Sequence, residues 1–435
     1  MTQLLRFATA GSVDDGKSTL VGRLLHDSKA ILADQFEQVQ RTSRERGFGG
    51  DAGGFDFALL TDGLRAEREQ GITIDVAYRY FSTGMKSFIL ADCPGHVQYT
   101  RNMVTGATTA DVVVVLVDVR NGVLEQTRRH LSVTALLRVP NVIIAVNKID
   151  LVGYDQAAFD KVVAEVEAVT DELGVLNVHV VPVSALEGDN IVDRSTNTPW
   201  YDGPALLELL ESLPGLDEIE SDLEAFRLDV QLVLRPQGAL ATSVIESSPT
   251  AVDDFRDYRA FAGQISSGIV KVGDKVDIFP AGVTTTVIGI DTADGPLEDA
   301  HAPQSVALRL ADDVDAARGS VIAAGGTLHL PKSDIEAEIF QLDPTPLAAG
   351  TRVLVKFGTR TVQAIVREIL GRRNLDTLAI EPAERLDVND IGHVHLKLAA
   401  ELPFEDYSAH RRGGAFIVIH PQTGQTLAAG IHTLH

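Results

Sequence analysis

The chain has 435 residues with 45% hydrophobic content, a formal net charge of −23 and a single cysteine. This length accommodates roughly two to four domains, each with its own core, and one cysteine excludes an internal disulfide or a zinc site built from thiol pairs. The acidic charge disfavours long-range attraction to nucleic acid or to an anionic membrane, and no apolar run approaches the length of a membrane span, so we expect a cytoplasmic protein.

A candidate phosphate-binding loop follows the first apolar run, Leu4–Ala10, which predicts a strand. The next eight residues form a complete G-x-x-x-x-G-K-S pattern. A glycine-rich turn between a strand and a helix gathers backbone N–H groups around a phosphate, at the positive end of the helix dipole. We therefore predict a nucleoside triphosphate site formed by Gly11, Ser12, Val13, Asp14, Asp15, Gly16, Lys17, Ser18 and Thr19.

A second box closes the predicted strand Ser87–Ala91. Its residues are Asp92, Cys93, Pro94 and Gly95. The carboxyl ends of strands in a doubly wound sheet border the ligand crevice, so this box presents a carboxylate and a backbone amide to the phosphates. We predict that Asp92 holds Mg²⁺ through water, and that Cys93 is a small apolar filler without a redox role.

Two further boxes end the predicted strands Val142–Val146 and Val178–Val183. They contain Asn147, Lys148 and Asp150, and then Ser184, Ala185 and Leu186. Guanine presents N1–H and its 2-amino group side by side, and the carboxylate of Asp150 accepts both. Adenine would leave that carboxylate unpaired. The four boxes together predict a site that binds GTP in preference to ATP.

The first half of the chain alternates apolar strands with helical patterns, including Asp155–Leu173 and Ala205–Leu213. Such alternation predicts a doubly wound sheet with right-handed crossovers. An acidic stretch with Pro and Gly at 214–222 is typical of a linker, and we assign residues 1–217 to a GTP-binding P-loop domain. Trp200 and Tyr201 either form a recognition surface or pack against the last helix of this domain.

From Phe226 onward, short runs rich in Val, Ile and Thr recur between glycine turns, a spacing typical of all-β barrels. The first set of predicted strands is Leu228–Leu234, Phe261–Ile269, Lys275–Phe279, Thr284–Ile290 and Val306–Leu310. The second set is Arg352–Phe357, Thr361–Ile369, Thr377–Ile380, His393–Leu398 and Ala415–His420. The prediction is an α/β P-loop GTPase domain followed by two all-β barrel domains, at 226–330 and 331–435, with 235–254 as a loop inserted into the first barrel.

The regions around the second box carry a family resemblance. Residues 65–75 and Pro94-Gly95-His96 resemble the switch regions of translation-factor GTPases, whose members join such a domain to two β-barrels. Residues 61–81, 96–106 and 199–204 resemble more closely the GTPase subunit of ATP sulfurylase. The resemblance covers essentially the whole chain.

This resemblance implies roles for individual residues. Lys17 is expected to contact the β- and γ-phosphates of GTP, and Gly95 to give its N–H to the γ-phosphate. Ser18 and Thr73 are expected to bind Mg²⁺ directly, Thr73 only when the triphosphate orders the first switch. His96 is similar in position to the residue that orients the attacking water, although a hydrogen-bonded structural histidine is the alternative interpretation.

The resemblance also implies an activity and a partner. The chain is expected to couple GTP hydrolysis to the formation of adenylyl sulfate from ATP and sulfate, catalysed by a separate small subunit whose pyrophosphate loop has no counterpart here. Two alternatives stay open: a translation elongation factor that delivers aminoacyl-tRNA, and a regulatory module that binds GTP without turnover. The acidic composition makes a nucleic-acid partner the weaker alternative, and no membrane partner is expected.

Overall fold

The computed structural model describes residues 3–12, 14–28, 57, 76–94, 100–215, 224–236, 255–375, 377 and 379–433. The chain divides into two compact units. One comprises Met1–Gly215 with Asn374–Ala379, and the other comprises Leu216–Arg373 with Ile380–His435.

The first unit is built on a six-stranded sheet in the order β2-β3-β1-β4-β5-β6. Its strands are β1 (Gln3–Gly11), β2 (Ala77–Ser82), β3 (Lys86–Asp92), β4 (Val112–Asp118), β5 (Asn141–Asn147) and β6 (Val178–Pro182). All pairings are parallel except that of β2 with β3. Both β4 and β5 are buried at every position, which explains their continuous apolar sequences, since a parallel strand is covered on both faces.

Helices connect these strands, as the alternating pattern predicts. They are α1 (Lys17–Asp27), α2 (Thr100–Ala107), α3 (Glu125–Leu136), α4 (Gln156–Leu173) and α5 (Leu206–Ser212), with a 3₁₀ turn at Ile149–Val152. The predicted start of α4 at Asp155 is its N-cap, whose side chain accepts a hydrogen bond from the Ala157 N–H at 3.3 Å. Capping oxygens satisfy N–H groups that have no partner within the helix.

Trp200 packs inside the first unit. Its ring lies 5.3 Å from that of Phe159 on α4, and its indole nitrogen donates a hydrogen bond to the Tyr154 carbonyl at 2.9 Å. Tyr201 is partly buried against the apolar core of the sheet. Of the two interpretations, packing therefore describes these side chains, and the ring of Trp200 lies against α4.

The second unit begins with a barrel of six antiparallel strands, closed in the order β11-β16-β7-β9-β15-β12 by pairing of β12 with β11. The strands of this region are β7 (Arg227–Asp229), β8 (Leu232–Leu234), β9 (Ala260–Ser267), β10 (Ile269–Lys271), β11 (Lys275–Phe279), β12 (Val283–Thr292), β13 (Gly295–Leu297), β14 (Asp299–His301), β15 (Ser305–Leu310) and β16 (Val321–Ala324). The predicted strand Leu228–Leu234 is thus two strands, because the chain leaves the barrel ladder after Asp229 and β8 then pairs with β9.

A second barrel of six antiparallel strands closes in the order β19-β24-β25-β17-β23-β20 by pairing of β20 with β19. Its region contains β17 (Lys332–Gln341), β18 (Leu347–Ala348), β19 (Arg352–Phe357), β20 (Arg360–Arg373), β21 (Ile380–Glu381), β22 (Arg385–Leu386), β23 (Ile391–Leu402), a short helix α6 (Arg411–Gly414), β24 (Ala415–Ile419) and β25 (Thr426–His432). The P-loop fold with two barrels is confirmed, while the exact domain boundaries stay a prediction.

One predicted strand of this barrel is wrong. Thr377 and Ala379 lie in the turn between β20 and β21, where the Asn374 N–H donates to the Ala379 carbonyl at 2.9 Å. The strict alternation at His393–Leu398 is found as predicted, since Val394, Leu396 and Leu398 are buried in the barrel. Of the predicted inserted loop, residues 237–254 lie outside the described part of the chain.

Candidate functional site

The predicted phosphate loop lies between β1 and α1. Two of its residues have left-handed backbones, Asp14 at φ 70° and Gly16 at φ 91°. The Asp15 N–H donates to the Ser12 carbonyl at 3.2 Å, and the first helical hydrogen bond joins the Leu20 N–H to the Gly16 carbonyl at 2.9 Å. A strand–turn–helix arrangement of this kind is the one predicted to gather the amides that open α1, including those of Ser18 and Thr19, around a phosphate.

Gly16 has no room for a side chain. A Cβ built there would collide with the amide nitrogen of Asn147. On the other side of the loop, a Cβ at Gly11 would lie 3.1 Å from that of Leu116 on β4. The two glycines therefore let the loop lie close against β4 and against the box that contains Asn147, Lys148 and Asp150. We call this box and the box of Ser184, Ala185 and Leu186 the base boxes.

Asp15 points into the protein rather than toward solvent and is 2% exposed. Its carboxylate accepts the Ser12 N–H at 2.7 Å. Burial raises the pKa of Asp15 to about 6, and nearby Asp118 adds to the rise, while the Ser12 N–H and Lys148 oppose it. The phosphate loop thus contains a buried acidic group.

Lys17 forms an ion pair with Asp92 of the second box. Its ammonium lies 2.6 Å from a carboxylate oxygen of Asp92, and the two side chains are 8% and 2% exposed. Thr9 pairs with Asp92 across β1 and β3, and its hydroxyl donates to the same oxygen at 3.0 Å. Lys17 and Asp92 are therefore held together at the carboxyl edge of the sheet, where Pro94 continues the chain.

Cys93 is fully buried beside this pair. Burial raises the pKa of its thiol to about 12, and the charge of Asp92 acts in the same direction. Only the thiolate is a good nucleophile, so a thiol held protonated is inert. The structure fits the interpretation of Cys93 as an apolar filler.

Asn147 joins three of the four boxes. Its amide nitrogen donates to the Asp15 carbonyl at 2.7 Å, and its amide oxygen accepts the Ala185 N–H at 2.9 Å. The hydroxyl of Ser184 accepts the Glu187 N–H at 3.1 Å, which orders the turn after β6. The phosphate loop and both base boxes are thus linked by hydrogen bonds of one buried side chain.

Lys148 and Asp150 follow Asn147 on the same turn. Lys148 has a left-handed backbone at φ 65°, and its ammonium donates to the Asp14 carbonyl. Asp150 lies half-buried in the 3₁₀ turn. Leu186 is 46% exposed, and its carbonyl accepts a hydrogen bond from Arg23 at 2.9 Å.

Sequence reasoning missed Asp118, the last residue of β4. Its side chain is 1% exposed and lies 3.0 Å from the Lys148 ammonium and 2.6 Å from the Arg120 guanidinium. Burial disfavours the charged form, but hydrogen bonds from Arg120 and Lys148 outweigh burial and lower the pKa of Asp118 to about 2. The signal was its place at the end of a strand that lies between β1 and β5, whose ends carry two of the boxes.

Four predicted site residues, Val13, Thr73, Gly95 and His96, lie outside the described residues. The described groups fit a nucleoside triphosphate. They combine a loop with two left-handed residues at the start of a helix, a buried lysine at the same edge of the sheet, and the box that contains Asp92.

Within the described ranges, no group of three or more His, Cys, Asp or Glu side chains could hold a metal ion. No helix in that part of the chain is both long enough and apolar enough to cross a membrane.

The chain is similar to two family models, to several curated proteins and to solved structures. The family model of the elongation factor Tu GTP binding domain matches residues 2–225, and that of the GTP-eEF1A C-terminal domain-like family matches residues 334–433. Sulfate adenylyltransferase subunit 1 of Methylorubrum populi is 47% identical over 429 residues, which cover 99% of this chain and 87% of that protein. The bifunctional enzyme CysN/CysC of Mycobacterium tuberculosis is 45% identical over 433 residues, which cover 99% of this chain and 67% of that protein. A crystal structure of sup35 complexed with GDP aligns with a TM-score of 0.43 and 21% identity, covering 100% of this chain and 94% of that chain.

Proposed function

Because this chain belongs to the family of sulfate adenylyltransferase subunit 1, GTPases with the nucleotide domain of elongation factor Tu, we propose that it couples GTP hydrolysis to the formation of adenylyl sulfate. In this proposal the chain is the GTPase subunit of a heteromeric ATP sulfurylase. A separate small catalytic subunit transfers the adenylyl group of ATP to sulfate and releases pyrophosphate. Since the reaction consumes ATP and GTP, we propose that the complex works in the cytoplasm.

The arrangement around Asn147 is the observation that carries the nucleotide half of the proposal. One buried amide bonds both the phosphate loop and the Ser184–Leu186 turn, so phosphate and base can be recognised by a single connected site. We assign Lys17 to the β- and γ-phosphates, because it opens α1 directly after the loop and its ammonium lies beside Asp92 of the second box. We assign Asp150 to N1–H and the 2-amino group of guanine, because a carboxylate accepts both.

Five further residues complete the proposed site. We propose that Ser18 and Thr73 bind Mg²⁺ directly and that Asp92 binds it through water. Mg²⁺ would neutralise charge on the phosphates. Gly95 is proposed to donate its N–H to the γ-phosphate, and His96 to orient the attacking water.

Coupling requires that the partner distinguish the two nucleotide states. Formation of a sulfate–phosphate anhydride is uphill, and GTP hydrolysis can supply free energy for it. It can do so only if the small subunit binds the GTP form and the GDP form of this chain with different affinities. Hydrolysis then resets the complex after each productive cycle.

The test reconstitutes the chain with the small subunit, ATP, sulfate and Mg²⁺, and measures the formation of labelled adenylyl sulfate. We expect synthesis to rise strongly with GTP and only slightly, over many turnovers, with a non-hydrolysable GTP analogue. The matched variant is Asp150→Asn, because its amide can donate to the 2-oxo group of xanthine. The variant complex should respond to XTP instead of GTP, which shows that the stimulating nucleotide is bound at this site.

Two results would contradict the proposal. Adenylyl sulfate formation that is independent of any guanine nucleotide would remove the coupling role. A chain that ignores the small subunit and instead forms a GTP-dependent, salt-sensitive complex with aminoacyl-tRNA would be an elongation factor.

A further inference from the structure

The carboxylate of Asp118 is in contact with four donor groups at the end of β4. One oxygen accepts the backbone N–H of Arg120 at 3.0 Å and its Nε–H at 3.0 Å. The other lies 2.6 Å from Nη2 of Arg120 and 3.0 Å from the Lys148 ammonium. A buried carboxylate with four donors is held in one orientation, so it offers Lys148 a fixed anchor.

The position of Asp118 follows from the sheet. Asp118 pairs with Asn147 across β4 and β5. Its side chain therefore lies close to Lys148, the residue after Asn147. Lys148 is 24% exposed and reaches from this anchor to the Asp14 carbonyl of the phosphate loop. The ammonium of Lys148 is therefore shared between the end of β4 and the loop.

We propose that Asp118 is a positioning residue of the nucleotide site, whose carboxylate holds Lys148 against the phosphate loop and thereby sets the affinity for GTP and GDP alike. The inference rests on the proposed GTP site. Without the anchor, the flexible stem of Lys148 has many conformers, and ordering it on nucleotide binding would cost side-chain entropy. Asp118 lies away from the Asp92 box, so the hydrolytic step should not depend on it.

Arg120 provides the matched control. It shares the same carboxylate with Lys148, but its own side chain is 48% exposed. Arg120→Ala removes the two guanidinium contacts and leaves the backbone N–H of residue 120 and the Lys148 contact in place. If Asp118 acts by holding Lys148, loss of the Arg120 side chain should change nucleotide affinity little.

The experiment measures binding and release of a fluorescent GDP by the full-length chain, and single-turnover hydrolysis of saturating GTP. For Asp118→Asn we expect GDP affinity to fall by about 10- to 100-fold, mainly through faster release, because a charge-assisted contact is lost. GTP affinity should fall by the same factor, and the single-turnover rate should stay within about twofold. Arg120→Ala should keep GDP affinity within about threefold.

A double-mutant cycle separates positioning from a general structural role. In the Lys148→Ala background, Asp118→Asn should cost no further affinity, whereas a structural defect would add its full effect. Additive losses, or wild-type affinity in folded Asp118→Asn, would overturn the inference. If Asp118→Asn does not fold, Asp118→Glu takes its place in the cycle, since it keeps the charge but displaces it by one methylene. A wild-type chain that binds no GDP would contradict the proposed function instead.

Discussion

Lys17 and Asp92 form a buried ion pair at 2.6 Å, so each charge depends on the other. We expect Lys17→Ala to weaken GTP binding by roughly 100-fold or more, because the proposed phosphate ligand is lost. The fold should be affected as well, since within the described residues the Thr9 hydroxyl is then the side-chain donor that Asp92 retains. Removal of one partner of a buried pair costs about 3 to 5 kcal/mol.

The two effects can be measured apart. A fluorescent GTP analogue reports binding, and urea unfolding reports the free energy of unfolding. The double variant Lys17→Ala/Asp92→Asn should recover part of the lost stability while it still binds GTP weakly. Wild-type GTP affinity in folded Lys17→Ala would remove Lys17 from the proposed phosphate site.

The raised pKa of Asp15 predicts that the free energy of unfolding depends on pH. Its pKa is raised by burial from 3.8 to about 6 in the folded protein, so the folded state binds the proton more tightly than the unfolded state. The contribution of Asp15 to the free energy of unfolding is therefore largest below pH 4 and is lost as the pH rises from about 4 to about 6. Asp15→Asn cannot ionise and should lack this loss.

The measurement compares wild type with Asp15→Asn by urea unfolding at several pH values between about 4 and 7.5. As pH rises, the unfolding free energy of the wild type should fall relative to that of Asp15→Asn. The total relative change should be on the order of 2 to 3 kcal/mol and should level off above about pH 6.5. A difference that does not vary with pH would mean that Asp15 titrates normally in the folded protein.

At the scale of elements, the turn from β1 to α1 depends on Gly16. Its φ of 91° is unfavourable for other residues, and a Cβ would displace the amide of Asn147. We expect Gly16→Ala to weaken GDP binding by about 10-fold or more, because the hydrogen bonds of Asn147 join the boxes. Fluorescence titration with labelled GDP measures the effect.

Gly153 is the matched control for this substitution. Its φ is 64°, and a Cβ there would meet nothing within 4 Å. Gly153→Ala should therefore carry a backbone cost of about 1 to 2 kcal/mol without any change in GDP affinity. Equal losses of affinity in the two variants would show that strain, and not the contact with Asn147, limits binding.

Regular elements were predicted where the pattern is strong. Lys275–Phe279 and Arg352–Phe357 are strands with the predicted bounds, because their alternation of apolar and polar residues matches a half-buried strand. Lys332–Gln341 was not predicted, although Ile335, Ala337 and Ile339 are buried. Its exposed face is acidic and one of its inward residues is Ala, so the sequence carries a weak strand signal.

The site was predictable to the extent that it consists of contiguous boxes. Spacing after an apolar strand identifies Lys17, Asn147 and Asp150 without knowledge of their neighbours. Asp118 has no such pattern around it, and its contact with Lys148 is created by the order of strands in the sheet. Contacts that depend on strand order require the tertiary structure.

At the scale of the whole molecule, the two barrels of the second unit share a buried ionic cluster. Arg227 on β7 lies 2.6 Å from Glu405, which follows β23 and also bonds His410. Burial would raise the pKa of Glu405, but His410 and Arg227 outweigh it and lower the pKa to about 2. Glu405 therefore contributes stability above its unfolded pKa, and this contribution is lost as the pH falls toward 2.

Arg227→Ala should destabilise the second unit by about 3 to 5 kcal/mol, because Glu405 stays buried with one cation fewer. The chain has one tryptophan, Trp200, which lies in the first unit, so its fluorescence reports on that unit while far-ultraviolet circular dichroism is dominated by the strands of the barrels. We expect Arg227→Ala to shift the dichroism transition in urea to lower concentration and to leave the fluorescence transition in place. GDP at about 100 times its Kd should instead stabilise the fluorescence transition by about 2.7 kcal/mol and leave the dichroism transition in place, since the proposed boxes all lie in the first unit.

Arg385→Ala is the control for Arg227→Ala. It breaks an ion pair whose side chains are 63% and 50% exposed and should move neither transition by more than about 1 kcal/mol. If Arg227→Ala moved both transitions together, the two units would unfold as one and the cluster would stabilise the entire chain.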